Sequence, residues 1–292
     1  MAQRATDGFR PFGRALAATA LLAGILSAQE SYRKELSLSS ETRIHAVVEL
    51  GFGTLTLGRA PRGTAVELRY EGPPVDDEEI QFDYRIEGKE GELRIGFREE
   101  SLWGRRSLSQ DGEDRRWTLL LTDRIPLALD VEFGAGRGTI DLTGLQIEEL
   151  KLSSGASSVD LECREVNPIA ARRVSIESGV GKLSAEGLAN LNFELLRFSG
   201  GVGSYRLDFS GRLARSGEVD IDVGLGAVTV SVPRASPVQV RYAKNWLSSF
   251  HLDDDFVKKR GDTYETDAFI DAARKLKIRI ESGLGSVSVR SR

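Results

Sequence analysis

A ten-residue pattern built around two glycines recurs along the chain and constrains the fold more than any other feature. Ile221–Val230 reads Ile-Asp-Val-Gly-Leu-Gly-Ala-Val-Thr-Val, and Ile280–Val289 reads Ile-Glu-Ser-Gly-Leu-Gly-Ser-Val-Ser-Val. The shared order is apolar, two residues, Gly, apolar, Gly, one residue, apolar, one residue, apolar. A repeat of this kind is typical of proteins whose units stack along one axis.

The pattern occurs in seven copies. From Gly134 to Gly224 the first glycines lie 21, 24, 22 and 23 residues apart. One copy has lost its second glycine, and longer gaps separate the first and the last copies from the rest. The glycines that we predict to be corner residues are Gly51, Gly53, Gly134, Gly136, Gly155, Gly179, Gly181, Gly201, Gly203, Gly224, Gly226, Gly283 and Gly285.

Apolar and polar residues alternate on both sides of each glycine pair, and the alternation shifts by one residue across it. Alternation indicates a strand with one buried face, and a glycine with positive φ permits a bend. We therefore predict an all-β protein, a single-stranded β-helix-like β-solenoid with turns of about 21–24 residues. The alternative is a β-sandwich or barrel of regular hairpins, which predicts turns every ~8–12 residues rather than a constant unit.

Two detailed expectations follow from this interpretation of the corner. Gly224 and Gly283 are expected to have positive φ. Leu225 is expected to be buried, in one column with its neighbours in the repeat and with Val180 of an earlier turn. The other members of that column are Ile221, Val228, Val230, Ile176 and Leu183.

The predicted organisation is one continuous domain, 30–292, after a signal peptide at 1–28. Residues 30–128 form an irregular N-terminal β cap and the first turns. Residues 129–292 hold the regular turns, with an insertion arm at 234–279. Three arginines precede an apolar run, 15–26, that is too short to span a bilayer and is followed by small residues, which is typical of secretory signal peptides. The alternative for this segment is an uncleaved N-terminal anchor.

The exported chain would be acidic, because removal of 1–28 leaves 37 basic and 43 acidic residues. This charge argues against nucleic acid as a partner. After cleavage the protein would not be integral to a membrane, and it would reside in the periplasm, at the cell surface or outside the cell.

We predict no catalytic residue, no metal site and no cofactor. The chain has two histidines, His45 and His251, and one cysteine, Cys163, whose position predicts a buried hydrophobe. Outward carboxylates on neighbouring turns could instead act as acid and base on a glycan, so a glycan-binding or glycan-cleaving β-helix is the alternative function. These carboxylates are Glu132, Asp160, Glu177, Asp220, Asp222 and Glu281.

The insertion arm concentrates aromatic residues, which are favoured as contact anchors between proteins. They could bind a partner or close the open end of the solenoid, and both roles can coexist. The candidate interaction residues are Tyr242, Trp246, Phe250, Phe256 and Tyr264.

The order of several motifs, from about Ser37 to Val289, resembles the toast-rack domain of LiaF-like cell-wall-active antibiotics response proteins. These motifs include Ile125-Pro126-Leu127, Val131-Glu132-Phe133-Gly134-Ala135-Gly136, Asp141-Leu142-Thr143-Gly144-Leu145, Val232-Pro233 and Gly261-Asp262-Thr263-Tyr264-Glu265-Thr266. The resemblance implies a β-helix-like fold, a bacterial envelope setting and no established catalytic residues.

Characterised relatives restrain a membrane sensor kinase and carry membrane helices ahead of this domain, where this chain has a predicted signal peptide. We therefore expect an exported, non-enzymatic interaction or structural protein of the cell envelope, linked to envelope stress. Its expected partner is a protein or another envelope component.

Overall fold

The computed structural model describes residues 30–73, 75, 78–98, 115–243 and 246–292, so the predicted signal peptide lies outside the described residues. Within these ranges sixteen strands form one sheet, with 3₁₀ turns at Leu188–Leu191 and Asp267–Phe269. The strands are β1 Glu30–Ser37, β2 Arg43–Arg59, β3 Thr64–Gly72, β4 Ile80–Glu87, β5 Glu90–Phe97, β6 Arg116–Leu121, β7 Leu127–Asp141, β8 Ile147–Glu162, β9 Ala171–Glu186, β10 Phe193–Asp208, β11 Gly217–Val232, β12 Val238–Ala243, β13 Ser248–Leu252, β14 Phe256–Lys258, β15 Thr263–Thr266 and β16 Leu276–Ser291.

Seven long bent strands, β2, β7 to β11 and β16, stack in parallel and in register. Each strand supplies one turn and carries one copy of the glycine pattern near its middle. Val202 of β10 pairs with Leu225 of β11, which in turn pairs with Leu284 of β16. The predicted β-solenoid is therefore confirmed. Antiparallel pairs lie at the two ends of the stack and do not build its body.

The core lies on the concave side of the bend, where alternate residues of both arms of each strand face inward. In β11, Val219 and Ile221 before the glycines and Val228 and Val230 after them are each at most 1% exposed. Burying an aliphatic side chain of this size stabilises the fold by about 1.5–3 kcal/mol. A single turn cannot cover this row, so the stability depends on stacking.

The loops that connect successive turns are tied together by buried asparagines. The Asn167 amide donates hydrogen bonds to the carbonyl oxygens of Ile147, at 2.7 Å, and Leu191, at 3.1 Å. The Asn190 amide donates to the carbonyl of Cys163 at 2.9 Å. Each bond joins loops of different turns and satisfies a backbone group that burial would otherwise leave unpaired.

Both ends of the stack are covered in the same way. At the N-terminal end, β5 pairs with the first arm of β2 and β6 pairs with its second arm. At the C-terminal end, β12 and β13 pair with the two arms of β16. The predicted irregular N-terminal β cap and C-terminal arm are thus present. They cover strand edges that would otherwise be free to pair with other chains.

The expectation for Leu225 and Val180 is wrong. Leu225 is 46% exposed and Val180 is 56% exposed, whereas the other members of their predicted column are buried. The alternation shifts within the glycine pair itself, and the chain turns so that the residue between the two glycines points outward. If inward and outward side chains are assumed to alternate without interruption through the corner, this residue is wrongly assigned to the core.

The expectation of positive φ at Gly224 and Gly283 is also wrong. It is the second glycine of most pairs that has positive φ, as at Gly226, where φ is +141°. The first glycine is needed for a different reason. A Cβ on Gly283 would overlap the carbonyl oxygen of Gly224 in the adjacent turn. Close backbone approach, rather than conformation, excludes a side chain there.

Candidate functional site

Every turn places one residue on the outside of its corner, between the two glycine positions. Parallel pairing in register stacks these residues into a continuous column, which we call the corner ridge. Its four C-terminal members are Val or Leu with exposed fractions between 46% and 56%, and its N-terminal members are one Phe, 50% exposed, and two alanines. The members of the corner ridge are Phe52, Ala135, Ala156, Val180, Val202, Leu225 and Leu284.

The insertion arm extends the corner ridge by one position. The pairing of β12 with β16 ends at Ala243 opposite Glu281, and the pairing of β13 with β16 begins at Ser248 opposite Gly285. Trp246 and Leu247 lie between these pairings, at the corner. The amide of Gly285 donates a hydrogen bond to the carbonyl of Leu247 at 3.4 Å, which places Leu247 beside Leu284.

The corner ridge gathers most of the exposed apolar side chains of the molecule. Ten large apolar residues are exposed in the described part of the chain, and seven belong to the ridge or to its extension by Trp246 and Leu247. A stack of eight corners spaced about 4.8 Å apart is roughly 34 Å long. Isolated exposed apolar residues need no explanation, but a contiguous apolar surface of this length indicates an interaction site.

The candidate interaction residues of the arm divide into two groups. Tyr242 and Phe256 are buried, and the ring of Phe250 stacks on Tyr242 with centroids 4.2 Å apart. Tyr264 lies tilted against Phe250 at 5.7 Å. These four residues pack against the end of the stack, which is the geometry of a lid. Trp246, by contrast, is 91% exposed.

A row of carboxylates runs alongside the corner ridge. It occupies the position two residues before the first glycine of five turns, with serines in the two remaining turns, and we call it the acidic row. Its members are Glu49, Glu132, Glu177, Asp222 and Glu281. The pairing that stacks the ridge residues also stacks these carboxylates, so Asp222 and Glu281 are neighbours in β11 and β16.

Within the acidic row, like charges crowd together at Asp222. Partial burial raises the pKa of the Asp222 carboxyl, and repulsion from Glu281 and Asp220 raises it further, against an opposing effect of Arg279. Arg279 also forms an ion pair with Glu281. Within the described ranges, neither Glu177 nor Asp222 forms an ion pair.

A shallow groove separates the acidic row from the turn of the corner, because the first glycine of each pair has no side chain. One part of this groove is lined by Glu132, Glu177 and Ser199 together with corner glycines. Its continuation is lined by Asp222 and Glu281 together with Gly224 and Gly283. Each of these glycines directly precedes a residue of the corner ridge, so the groove and the ridge follow the same line.

The remaining groups considered from the sequence are dispersed. The Nδ1 atom of His45 lies 3.1 Å from Glu92 at one end of the stack, and the Nε2 atom of His251 lies 3.7 Å from Asp253 at the other. Asp253 accepts a hydrogen bond from the amide of Ser291, which is a structural role. Cys163 is buried, and burial raises the pKa of its thiol to about 12, so the thiolate is disfavoured. In the described ranges no group of three or more potential metal ligands comes together.

Sequence reasoning did not identify the corner ridge. It assigned the apolar residue of each Gly-x-Gly to the core, although the signal was available, since this residue is apolar in all seven copies. It did identify four of the five members of the acidic row as outward carboxylates, namely Glu132, Glu177, Asp222 and Glu281. Which of these carboxylates stack beside one another depends on the loop lengths between turns.

Comparison with known proteins identifies the family. The sequence pattern described as "N-terminal domain of toast_rack, DUF2154" matches residues 26–186, which is more than half of the chain. No curated protein matches the chain. None of the described helices has the length and apolar character needed to cross a membrane.

Solved structures with a similar course of the chain include two proteins described as proposed adhesion proteins. A proposed cell adhesion protein from Clostridium sporogenes ATCC 15579 is 16% identical with a TM-score of 0.45, covering 90% of this chain and 99% of its own. A proposed adhesin from Bacteroides fragilis NCTC 9343 is 14% identical with a TM-score of 0.39, covering 90% and 98%. Similarity at this level carries no argument about function. The family match, together with the stacked turns that it spans, establishes that the chain belongs to the toast-rack family.

Proposed function

We propose that the protein is an exported, non-enzymatic module of the bacterial cell envelope that binds another protein along its corner ridge. The observation that carries the proposal is the alignment of seven exposed large apolar residues on one line. In a chain that buries most of its apolar residues, such a surface is retained when a partner covers it. The toast-rack domain and the predicted signal peptide support the envelope setting, and a link to envelope stress belongs to the same proposal.

The test of the proposal is affinity capture from an envelope fraction. The bait is the mature chain, compared with a double variant Val202→Ser/Leu225→Ser. A matched control, Val257→Ser/Ile270→Ser, removes two exposed apolar residues that lie off the ridge. We expect a protein retained by the wild type and by the control but lost with the ridge variant. Equal capture by all three baits contradicts the proposal.

Export is tested separately. Cell fractionation with mass spectrometry of the mature N-terminus should find the chain outside the cytoplasm, beginning at Gln29. A full-length chain in the cytoplasmic fraction contradicts export without affecting the binding assay.

The second candidate is a glycan-binding or glycan-cleaving protein, and it is favoured by one observation. Asp222 and Glu281 are neighbouring carboxylates beside a groove, and burial together with like charges raises the pKa of Asp222, as happens at catalytic pairs. Against it, Arg279 already engages Glu281. Binding or release of sugars from peptidoglycan and polysaccharide preparations, abolished in Asp222→Asn, would establish this function instead.

A further inference from the structure

The acidic row and the corner ridge run side by side, and together they select a kind of partner. We infer that they dock an amphipathic α-helix that carries Lys or Arg residues along one edge of its apolar stripe. The inference rests on the proposed function and specifies the chemistry of its partner.

The spacing of the two columns fits a helix better than an extended peptide. Both columns repeat every ~4.8 Å along the stack, whereas an α-helix advances 5.4 Å per turn and same-face residues of a strand repeat every ~6.6 Å. From the corner of β9 to that of the arm there are four steps, about 19 Å, or roughly 13 helical residues. Over this length the helix drifts from the ridge by about 2 Å and an extended peptide by about 7 Å. Each turn of a docked helix can therefore meet one corner.

The helix would lie on the C-terminal half of the ridge, where the side chains are large. Val180, Val202, Leu225 and Leu284 are each about half exposed, and Leu247 and Trp246 close the line. The corresponding residues of the N-terminal half include Ala135 and Ala156, which offer little apolar surface. Apolar residues at i, i+3 and i+4 of the partner would contact this half of the ridge.

The charges that flank the ridge determine which edge of the partner helix carries Lys or Arg. On one side of the ridge lie Glu177, Asp222 and Glu281. On the other side, at the residue after the second glycine, the same turns carry Lys182, Ser204, Ala227 and Ser286. Carboxylates therefore flank only one side. Arg279 already engages Glu281. Cations on the matching edge of the helix would therefore pair with Glu177 and Asp222, which form no ion pair in the part of the chain that the structure describes.

The same features disfavour two other occupants. An anionic lipid surface would be repelled by the acidic row, although the ridge itself is apolar. A second copy of this chain would bring the same acidic row, and no row of cations, to the interface.

The test uses three synthetic 18-residue helical peptides with the same apolar stripe. The first carries Lys along one edge, the second carries Glu at those positions, and the third has the composition of the first in scrambled order. Binding to the mature chain is followed by the emission of Trp246, which is almost fully exposed and should shift to shorter wavelength when covered. A Trp246→Phe variant identifies that signal against the emission of the other two tryptophans, Trp103 and Trp117.

We expect the Lys peptide to bind, more weakly as salt rises, and the other two to bind at least tenfold more weakly. Glu177→Gln/Asp222→Asn should lower the affinity at least tenfold and reduce the salt dependence. The control Asp160→Asn/Glu186→Gln removes two exposed carboxylates that lie outside the acidic row and should leave the affinity unchanged. Unchanged circular dichroism for each variant shows that the fold is retained.

Three results overturn the inference. These are equal binding of the Lys and Glu peptides, equal affinity of the acidic-row variant and the wild type, and binding to anionic phosphatidylglycerol vesicles in preference to the Lys peptide. If capture from the envelope depends on the ridge but the Lys peptide does not bind, the helical partner is wrong and the proposed function stands. If neither depends on the ridge, both are wrong.

Discussion

Two columns of apolar side chains follow each other along this molecule, four residues apart in sequence, and have opposite environments. The inner column, represented by Ile176, Ile221 and Ile280, is at most 1% exposed. The corner ridge, represented by Val180, Leu225 and Leu284, is about half exposed. Both sets are aliphatic, so apolarity alone does not decide burial. The bend between the two columns decides which of them is buried. The inner column stabilises the fold, and the ridge is left exposed to a partner.

The most severe test of this comparison places the same charge in each column. Ile221→Asp should abolish folding, because an unpaired buried charge costs several kcal/mol and total stabilities are about 5–15 kcal/mol. Leu225→Asp should fold normally, since its carboxylate would lie in water. Circular dichroism and labelling of the buried Cys163 thiol measure the difference. Loss of folding in both variants would place Leu225 in the core after all.

The second prediction concerns the glycine that makes the bend. Gly226→Val should destabilise the protein by about 4 kcal/mol or more, because a positive φ strains an L-residue and the new Cβ would overlap the Gly203 carbonyl oxygen. Gly63→Val is the control, since Gly63 also has positive φ but no atom lies within 4 Å of the added Cβ. It should cost only about 1–2 kcal/mol. Urea unfolding compares them, and equal costs would show that stacking does not constrain the corner.

The third prediction is a smaller effect on the free energy of unfolding. It distinguishes Phe250, which packs on the end of the stack, from Trp246, which extends the corner ridge. Phe250→Ala should cost about 2 kcal/mol, because it removes a ring stacked on the buried Tyr242. Trp246→Ala should change the free energy of unfolding by less than about 0.5 kcal/mol, as is usual for exposed residues, while weakening partner binding. A large fall in thermal stability for Trp246→Ala would instead assign Trp246 to the lid.

The smallest effect is electrostatic. Because folding raises the pKa of Asp222, the folded state holds its proton more tightly than the unfolded chain. The resulting stability is present below the unfolded pKa of about 4 and is lost as pH rises through the folded pKa. Asp222→Asn should therefore be slightly more stable than the wild type at pH 7 and should lack this acidic-range dependence. Denaturation at pH 3, 5 and 7 tests it, with Asp160→Asn as the control that shows no gain.

Much of the fold was predictable because each copy of the repeated sequence pattern corresponds to one structural turn. The constant spacing from Gly134 to Gly224 requires turns of equal length, and alternation on either side of the glycines requires one buried face. The caps were also predictable, since 30–128 and 234–279 depart from the spacing that stacking demands. Alternation alone did not predict the corner ridge, because the alternation of inward and outward side chains shifts by one residue within the glycine pair. The side that the residue between the glycines faces is therefore not given by alternation.

The sequence by itself determined that this chain builds stacked, glycine-bent turns with an inner apolar row, because equal spacing and local alternation are local properties of the chain. Only the tertiary structure decided that Leu225 points outward and that Gly283 is excluded from carrying a Cβ by the turn beside it. Only the structure decided, too, that Leu247 falls beside Leu284 and extends the corner ridge, with the acidic row alongside it. These outcomes depend on the direction of a bend and on which turn is adjacent, and both are properties of the packed stack.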